Sequence, residues 1–354
     1  MNTRIEKIGY DGNAFTEKDE QILSQAGNVI KEGGLVAFPT ETVYGLGGDA
    51  LNRDSARRIY AAKDRPSDNP LIVHICRFED MKEIVEKVPE TAVLIAQTFW
   101  PGPLTMILPK SSKVPYETTG GLDTVAVRFP SHPVARKLIS CSGGYVAAPS
   151  ANRSGRPSPT EPRYVIEDLD GRVDMILDGG KVEIGLESTI VDLTVTPPQI
   201  LRPGYVTREM LTEVLGEIDI DVTIMDNNSG QPPKAPGMKY RHYAPKGELI
   251  IVEGSPDNVT MFMNRQALEG KAQGEKVGII GTGEFLSKYR ADVVRCLGER
   301  RDEESVARSL YSVLRQMDDE QVTRIYSEGF AEDGYGQAIM NRLLKAAGYR
   351  VVKV

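Results

Sequence analysis

The chain has 354 residues, with 43 Lys and Arg against 50 Asp and Glu, a formal charge of −7. That balance excludes a chain-wide basic nucleic-acid binder and leaves only a local basic cleft open. Forty per cent hydrophobic and 26% charged residues exclude a largely disordered chain, and at about 150 residues per domain the length suggests two domains or one large one. Three scattered cysteines and three scattered histidines, with no C-x-x-C and no H-E-x-x-H, exclude a disulfide framework and leave zinc without support. The polar N-terminal segment carries no secretory signal, and apolar runs such as Leu71–Val73 and Leu249–Val252 fall far short of the ~20 residues that span a bilayer. The expected location is the cytoplasm, with no membrane partner.

Thr16 and Asp19 are spaced as a capping box. Ile22, Leu23, Ala26, Val29 and Ile30 follow at helical spacing, and Gly33-Gly34 predicts the stop. Leu35–Phe38 reads as a buried strand ended by Pro39, 54–63 as a helix closed before Pro66, 71–75 as a strand, and 80–99 as one or two helices. Strands are expected at 104–108, 124–129, 145–148, 173–177, 188–193 and 199–202, and helices near 133–140, 162–168 and 207–215. Residues 1–216 thus predict one α/β domain, a twisted mixed sheet with helices packed on it. Residues 217–247 read as a linker. Four acids (Glu217, Asp219, Asp221, Asp226) precede four bases (Lys234, Lys239, Arg241, Lys246) among four prolines, without an apolar period. Tyr240, His242 and Tyr243 are unusual in a passive spacer. From 248 to 354, strands at 248–253, 276–281, 292–296 and 323–327 alternate with helices at 256–268, 302–317 and 335–347, which predicts a small parallel, Rossmann-like α/β domain.

No P-loop, complete dinucleotide fingerprint or G-x-S-x-G elbow is present. Pro39–Gly48 carries a strand into a run of hydroxyls and glycines, either a capped turn or a ligand loop. Lys63-Asp64-Arg65 ends a helix, either as cations favouring its dipole or as a charge clamp stiffened by Pro66 and Pro70. His74 lies inside a strand and reads as a hydrogen-bonded core residue. Arg128, on an apolar strand, asks for an anion: an internal Asp or Glu, or a ligand carboxylate or phosphate. Ser150 and Asn152 make either a polar turn or a nest for phosphate oxygens. Glu187-Ser188-Thr189 enters a strand and Arg202-Pro203-Gly204 leaves one. Together these junctions suggest a polar, cationic cleft for an anionic small ligand such as a nucleotide.

Phe38-Pro-Thr-Glu-Thr-Val-Tyr-Gly-Leu-Gly, Lys63-Asp-Arg65, Asn69-Pro-Leu-Ile-Val-His74, Trp100-Pro-Gly-Pro-Leu-Thr, Gly121-Leu-Asp-Thr-Val-Ala-Val-Arg128, Ala148-Pro-Ser-Ala-Asn152, Glu187-Ser-Thr-Ile and Ala235–Pro245 resemble the YrdC-type threonylcarbamoyl-AMP synthases in their long, two-domain form. The resemblance implies a nucleotidyltransferase that converts L-threonine, bicarbonate or CO2, and ATP into threonylcarbamoyl-adenylate and pyrophosphate, with Mg²⁺ accompanying ATP. A downstream threonylcarbamoyl-transferase complex would carry the product to tRNA, and no stable tRNA binding by this chain is expected. By the same resemblance Lys63 and Arg65 neutralise phosphate and carbamate charge. Arg128 forks onto the threonine carboxylate, Thr40, Ser188 and the Ala148 backbone line the threonine pocket, and His74 sits near the amino-acid end. Ser67, Thr124, Ser150, Asn152, Ser158 and Arg202 contact ATP beside Lys63. From its own four cations and tyrosines the linker reads either as a lid over the cleft, with Tyr240 contacting the nucleotide, or as a tether whose tyrosines pack on the C-terminal unit. The competing readings are an RNA-binding or ribosome-maturation factor of the same fold, disfavoured by the negative charge, and a carbamoyl-transfer piece of a hydrogenase-maturation enzyme, whose zinc fingers the cysteine count excludes.

Overall fold

The computed structural model describes residues 2–10, 12, 14–221 and 243–354. They fall into two units: the described residues up to 221 apart from Gly155–Pro157 and Ile184–Leu186, and 243–354 together with those two short pieces.

In the first unit the elements are β1 (Arg4–Lys7), α1 (Glu17–Lys31), β2 (Val36–Phe38), β3 (Gly45–Asp49), α2 (Arg53–Lys63), β4 (Ile72–His74), α3 (Met81–Ile84), α4 (Glu90–Phe99), β5 (Leu104–Pro109), α5 (Tyr116–Thr119), β6 (Thr124–Arg128), α6 (Pro133–Cys141), β7 (Val146–Ala148), α7 (Pro162–Leu169), β8 (Met175–Asp178), β9 (Thr189–Asp192), β10 (Gln199–Arg202), α8 (Arg208–Leu215) and β11 (Asp219–Ile220). The strands form one mixed sheet in the order β1-β8-β2-β3-β7-β4-β6-β5-β9-β10-β11. Helices cover both faces, so side chains of opposite pleat enter different cores. Leu35 and Ala37 join one core with Tyr44, Ile59 and Val127, whereas Val36 and Phe38 join another with Leu23, Ile30 and Leu138. The capping box is present: Asp19 N–H donates to Thr16 Oγ1 at 3.2 Å, and Thr16 donates back to the Asp19 carboxylate at 2.5 Å.

Several short elements depart from expectation. The glycine-rich run after Tyr44 is a strand, β3, antiparallel to β2 and β7. Glycine is depleted in strands generally, but here it is required by packing. A Cβ on Gly47 would lie 2.8 Å from both the Phe38 ring and the Val146 side chain. Within 80–99 there are two helices, in keeping with the expected one or two, although the first is only four residues long. The first sheet also runs past residue 216, because β11 pairs in parallel with β10. The rest of the expected linker and lid, Tyr240 and His242 included, lies outside the described residues except for 217–221 and 243–247.

The second unit contains β12 (Glu248–Glu253), α9 (Pro256–Ala272), β13 (Val277–Gly281), β14 (Val293–Cys296), α10 (Glu303–Asp319), β15 (Arg324–Glu328), α11 (Gly334–Ala347) and β16 (Val351–Lys353). Its sheet is parallel throughout, in the order β14-β13-β15-β12-β16. The parallel α/β pattern is as expected, with β16 as an additional edge strand. Tyr243, at the end of the expected linker, is buried and meets the Tyr311 ring at 5.2 Å. Among the described residues no helix is long and apolar enough to cross a membrane.

Candidate functional site

The first sheet lines up polar side chains at the carboxyl ends of its parallel pair. In register, His74 on β4 opposes Arg128 on β6, and Arg128 opposes Thr105 on β5. Directly opposed residues share one face of a sheet, so imidazole, guanidinium and hydroxyl form a row. Carboxyl ends of parallel strands are favoured ligand positions in α/β sheets.

Arg128 has its anion inside the protein. Its Nη2 donates to Glu41 Oε1 at 2.6 Å, and the two side chains are 5% and 4% exposed. The pair is only half satisfied, because the buried Arg128 Nε and the buried Glu41 Oε2 have no hydrogen-bond partner. Buried charges with unmatched donors and acceptors are costly. Such an arrangement suits a site that receives a complementary ligand. The loop holding Glu41 is fixed by Thr40, whose hydroxyl donates to Val43 O at 2.6 Å and accepts the Thr42 and Val43 N–H groups. Thr40 therefore shapes the loop whatever else it touches.

His74 is buried, and its Nδ1 lies 3.1 Å from Ile72 O. Burial, then the neighbouring Arg128 charge, pushes its pKa down to about 3. The imidazole is therefore neutral at working pH. In the unfolded chain it protonates near pH 6.5, so stability from this group is present above about 6.5 and declines toward pH 3. The sign follows because the unfolded state binds the extra proton. His74→Gln is expected to flatten the acid limb of stability against pH by about 1.4 kcal/mol per pH unit between roughly pH 6 and 4. Denaturant melts of both proteins across that range measure it. Equal slopes would mean that His74 does not titrate on unfolding. His132, whose Nδ1 is also buried without a partner, is held below the ordinary imidazole range by burial, against the pull of Glu41 and Glu183.

A second cluster gathers around Lys63. It ends α2, where Asp64 adopts the left-handed conformation (φ 52°) as the C-cap. The turn sends the ammonium inward, and Lys63 is 1% exposed, donating to the carbonyls of Ser150 and Asn152. Ser150 Oγ in turn donates to Asn152 Oδ1 at 2.5 Å. The Lys63 and Ser150-x-Asn152 motifs are thus one structure. Arg65 folds back onto the carbonyls of Asn69 and Pro70 at 3.2 to 3.3 Å, and Ser67 is exposed on the same loop. Ala148, at the end of β7, opposes Ile72 at the start of β4, whereas His74 opposes Val146, so the Ser150 loop leaves the sheet at the other end of β4 from His74.

A third cluster joins Ser188, Arg202 and Ser158. Arg202 grips Ser188 through its carbonyl (3.0 and 2.9 Å) and hydroxyl (3.1 Å), and Ser188 Oγ lies 2.7 Å from Thr105 Oγ1. Thr105 neighbours Arg128, so this cluster meets the same row. Ser158 donates to the adjacent Glu187 at 2.6 Å. Thr124 sits at the opposite end of β6 from Arg128. Ser188 and Arg202, expected to face different ligands, are bonded to each other. Glu41, Thr105 and His132 were not singled out from sequence, and Glu187 was given no role. For Glu41 a signal existed, the one acid in the Thr-rich loop of a chain whose buried Arg128 needs an anion.

Comparison with known proteins gives a consistent picture. A family model described as Telomere recombination matches residues 28–204, and one described as Threonylcarbamoyl-AMP synthase, C-terminal domain, matches 206–348. The threonylcarbamoyl-AMP synthase of Pyrococcus abyssi is 51% identical over 95% of this chain and 97% of its own length. That of Bacillus subtilis is 47% identical over 96% of both chains. The crystal structure of P. abyssi Sua5 complexed with L-threonine matches with a TM-score of 0.93 at 49% identity, covering 99% of this chain and 100% of that one.

Proposed function

Because the chain belongs to the threonylcarbamoyl-AMP synthase family, we propose that it makes L-threonylcarbamoyl-AMP and pyrophosphate from L-threonine, bicarbonate or CO2, and ATP, the first step of tRNA threonylcarbamoyladenosine modification. It is an enzyme, and in this reading a nucleotidyltransferase. A separate threonylcarbamoyl-transferase complex uses the product, and this chain binds no tRNA stably.

The observation that carries the reading is the half-satisfied Arg128–Glu41 pair. Its unmatched donor and acceptor complement the carboxylate and ammonium of one amino-acid zwitterion. Arg128 holds the carboxylate. Glu41 receives the ammonium and accepts one of the two protons that the nitrogen loses as it attacks CO2 and the N–C bond of the carbamate forms, the other passing to solvent. The Thr105–Ser188 hydroxyl pair and the Ala148 backbone bound the pocket, with Thr40 shaping its loop. A carbamate oxygen then attacks the α-phosphorus of ATP, and the bond to the departing pyrophosphate breaks. Two anions must approach, so charge neutralisation and positioning matter more than a strong base. Lys63, Arg65 and Arg202 supply positive charge, while Ser67, Thr124, Ser150, Asn152 and Ser158 offer polar contacts to the nucleotide. Mg²⁺ bound with ATP would neutralise phosphate charge further.

Pyrophosphate release is expected only when L-threonine, bicarbonate and Mg·ATP are all present, with a nucleotide product of threonylcarbamoyl-AMP mass. Release of inorganic phosphate in place of pyrophosphate would overturn the adenylate mechanism.

A further inference from the structure

The second unit carries a pocket of its own. The chain leaves β12 through α9 toward β13 on one side, and leaves β15 through α11 toward β16 on the other. β12 and β15 are neighbours, so strand order reverses between their carboxyl ends. In open parallel sheets such a reversal leaves a crevice where ligands bind. A cavity of about 400 Å³ lies there, lined by Glu253 and Gly254 at the end of β12 and by Glu328 and Gly329 at the end of β15. That volume is within the range of small-molecule sites.

Its floor is a built polar network. Glu328 is 2% exposed. Its carboxylate accepts the Thr282 N–H and the Tyr289 hydroxyl, each at 2.8 Å, and the Arg300 guanidinium. Arg300 also donates to Gly329 O at 3.2 Å and lies over the Phe330 ring at 5.0 Å, while its buried Nε has no hydrogen-bond partner. Gly281 leaves room for this arrangement, since a Cβ there would stand 2.3 Å from the Tyr289 ring and 3.0 Å from Glu328. The sheet's fold needs none of these charges.

The lining also limits what can bind. Phe285, Tyr289 and Phe330 supply aromatic surface, on which heteroaromatic rings stack favourably. Both acids are already paired, Glu328 with Arg300 and Glu253 with Lys353 at 3.4 Å. No excess of positive charge is present to receive phosphates. We propose that this crevice binds a neutral heteroaromatic molecule of nucleoside size, its ring against the aromatic wall and its polar edge toward Arg300, the Gly329 carbonyl and the Glu253 carboxylate. Nothing in the adenylate-forming chemistry requires such a site.

The test uses the full chain, with adenosine, guanosine, cytidine and uridine as probes and the corresponding monophosphates as charged controls. Binding is read by titration calorimetry, with and without saturating ATP. At least one nucleoside is expected to bind more tightly than about 1 mM, undisplaced by ATP, with its monophosphate weaker. Phe330→Ala is expected to weaken that binding about tenfold or more and to leave threonine-dependent pyrophosphate release unchanged. If Phe330→Ala does not fold, Glu253→Gln at the rim serves instead, with the same expected loss of binding. No nucleoside binding, binding abolished by ATP, an equally tight monophosphate, or affinity unchanged in the pocket variant would each overturn the proposal.

Discussion

Replacing Arg128 by alanine is expected to lower folding stability by about 3–5 kcal/mol and to abolish threonine-dependent pyrophosphate release. The stability loss comes from the partner left behind. Glu41 is 3% exposed and bonds Arg128 at 2.6 Å, so without the guanidinium its carboxylate is buried unpaired. Removing both charges should relieve this. Glu41→Gln/Arg128→Met is expected to recover most of the lost stability, as apolar replacements of buried ion pairs generally do, yet to remain inactive. Threonine binding separates the partners further. A thermal shift with L-threonine should disappear in Arg128→Ala, whereas Glu41→Gln, which keeps the guanidinium, should retain a reduced shift with no turnover. An Arg128→Ala protein that still gains stability from threonine would remove Arg128 from the carboxylate site. A fully active Glu41→Gln would remove the proton-accepting role of Glu41.

Much of the architecture was legible because both cores are built from regular periods. Ile22, Leu23, Ala26 and Ile30 face one core at helical spacing, and Val36 and Phe38 alternate with Leu35 and Ala37 across β2. The second unit was clearer still, since its short strands alternate with long helices after β12, β14 and β15. Elements were missed where local preference and tertiary demand disagree. β3 contains three glycines, and only the Phe38 ring and Val146, brought in from neighbouring strands, explain why it stays extended. β1, β11 and β16 are edge strands of two to four residues, too short to show a period.

The site was legible in composition and not in connectivity. Arg128 announced its need for an anion because an arginine on an apolar strand cannot remain unpaired. Its partner lies 87 positions away, and no local pattern links them. Likewise Ser188, Arg202 and Thr105 are unremarkable singly. They become one unit because β5 pairs with β6 on one side and with β9 on the other. The hydroxyl-rich junctions are informative for a physical reason. They bring together polar groups distant in sequence: Glu41, after β2, bonds Arg128 at the end of β6, and Ser188, before β9, meets Thr105 on β5.

Lys63→Ala tests whether such a residue builds the site or only decorates it. A lysine and a serine-x-asparagine turn suggest a point charge and a phosphate nest, with activity lost and the fold intact. The structure changes that expectation. Lys63 is 1% exposed, and its ammonium holds the carbonyls of Ser150 and Asn152. Truncation leaves both carbonyls buried without this donor, and an unsatisfied buried polar group costs about 1–3 kcal/mol. The melting temperature should therefore fall together with activity. Pyrophosphate release at saturating ATP is expected to drop about 10²–10³-fold, the usual effect of removing one preorganised charge or donor from a reaction centre. Ser150→Ala removes only the 2.5 Å bond to Asn152 Oδ1. It should cost about 0.5–1.5 kcal/mol and raise the KM for ATP more than it lowers kcat. Calorimetric melts and steady-state kinetics on the two variants decide the point. Wild-type stability in Lys63→Ala would mean that the carbonyl contacts contribute little to folding. Full turnover at saturating ATP in a destabilised Lys63→Ala would place the lysine in the scaffold and outside the chemistry.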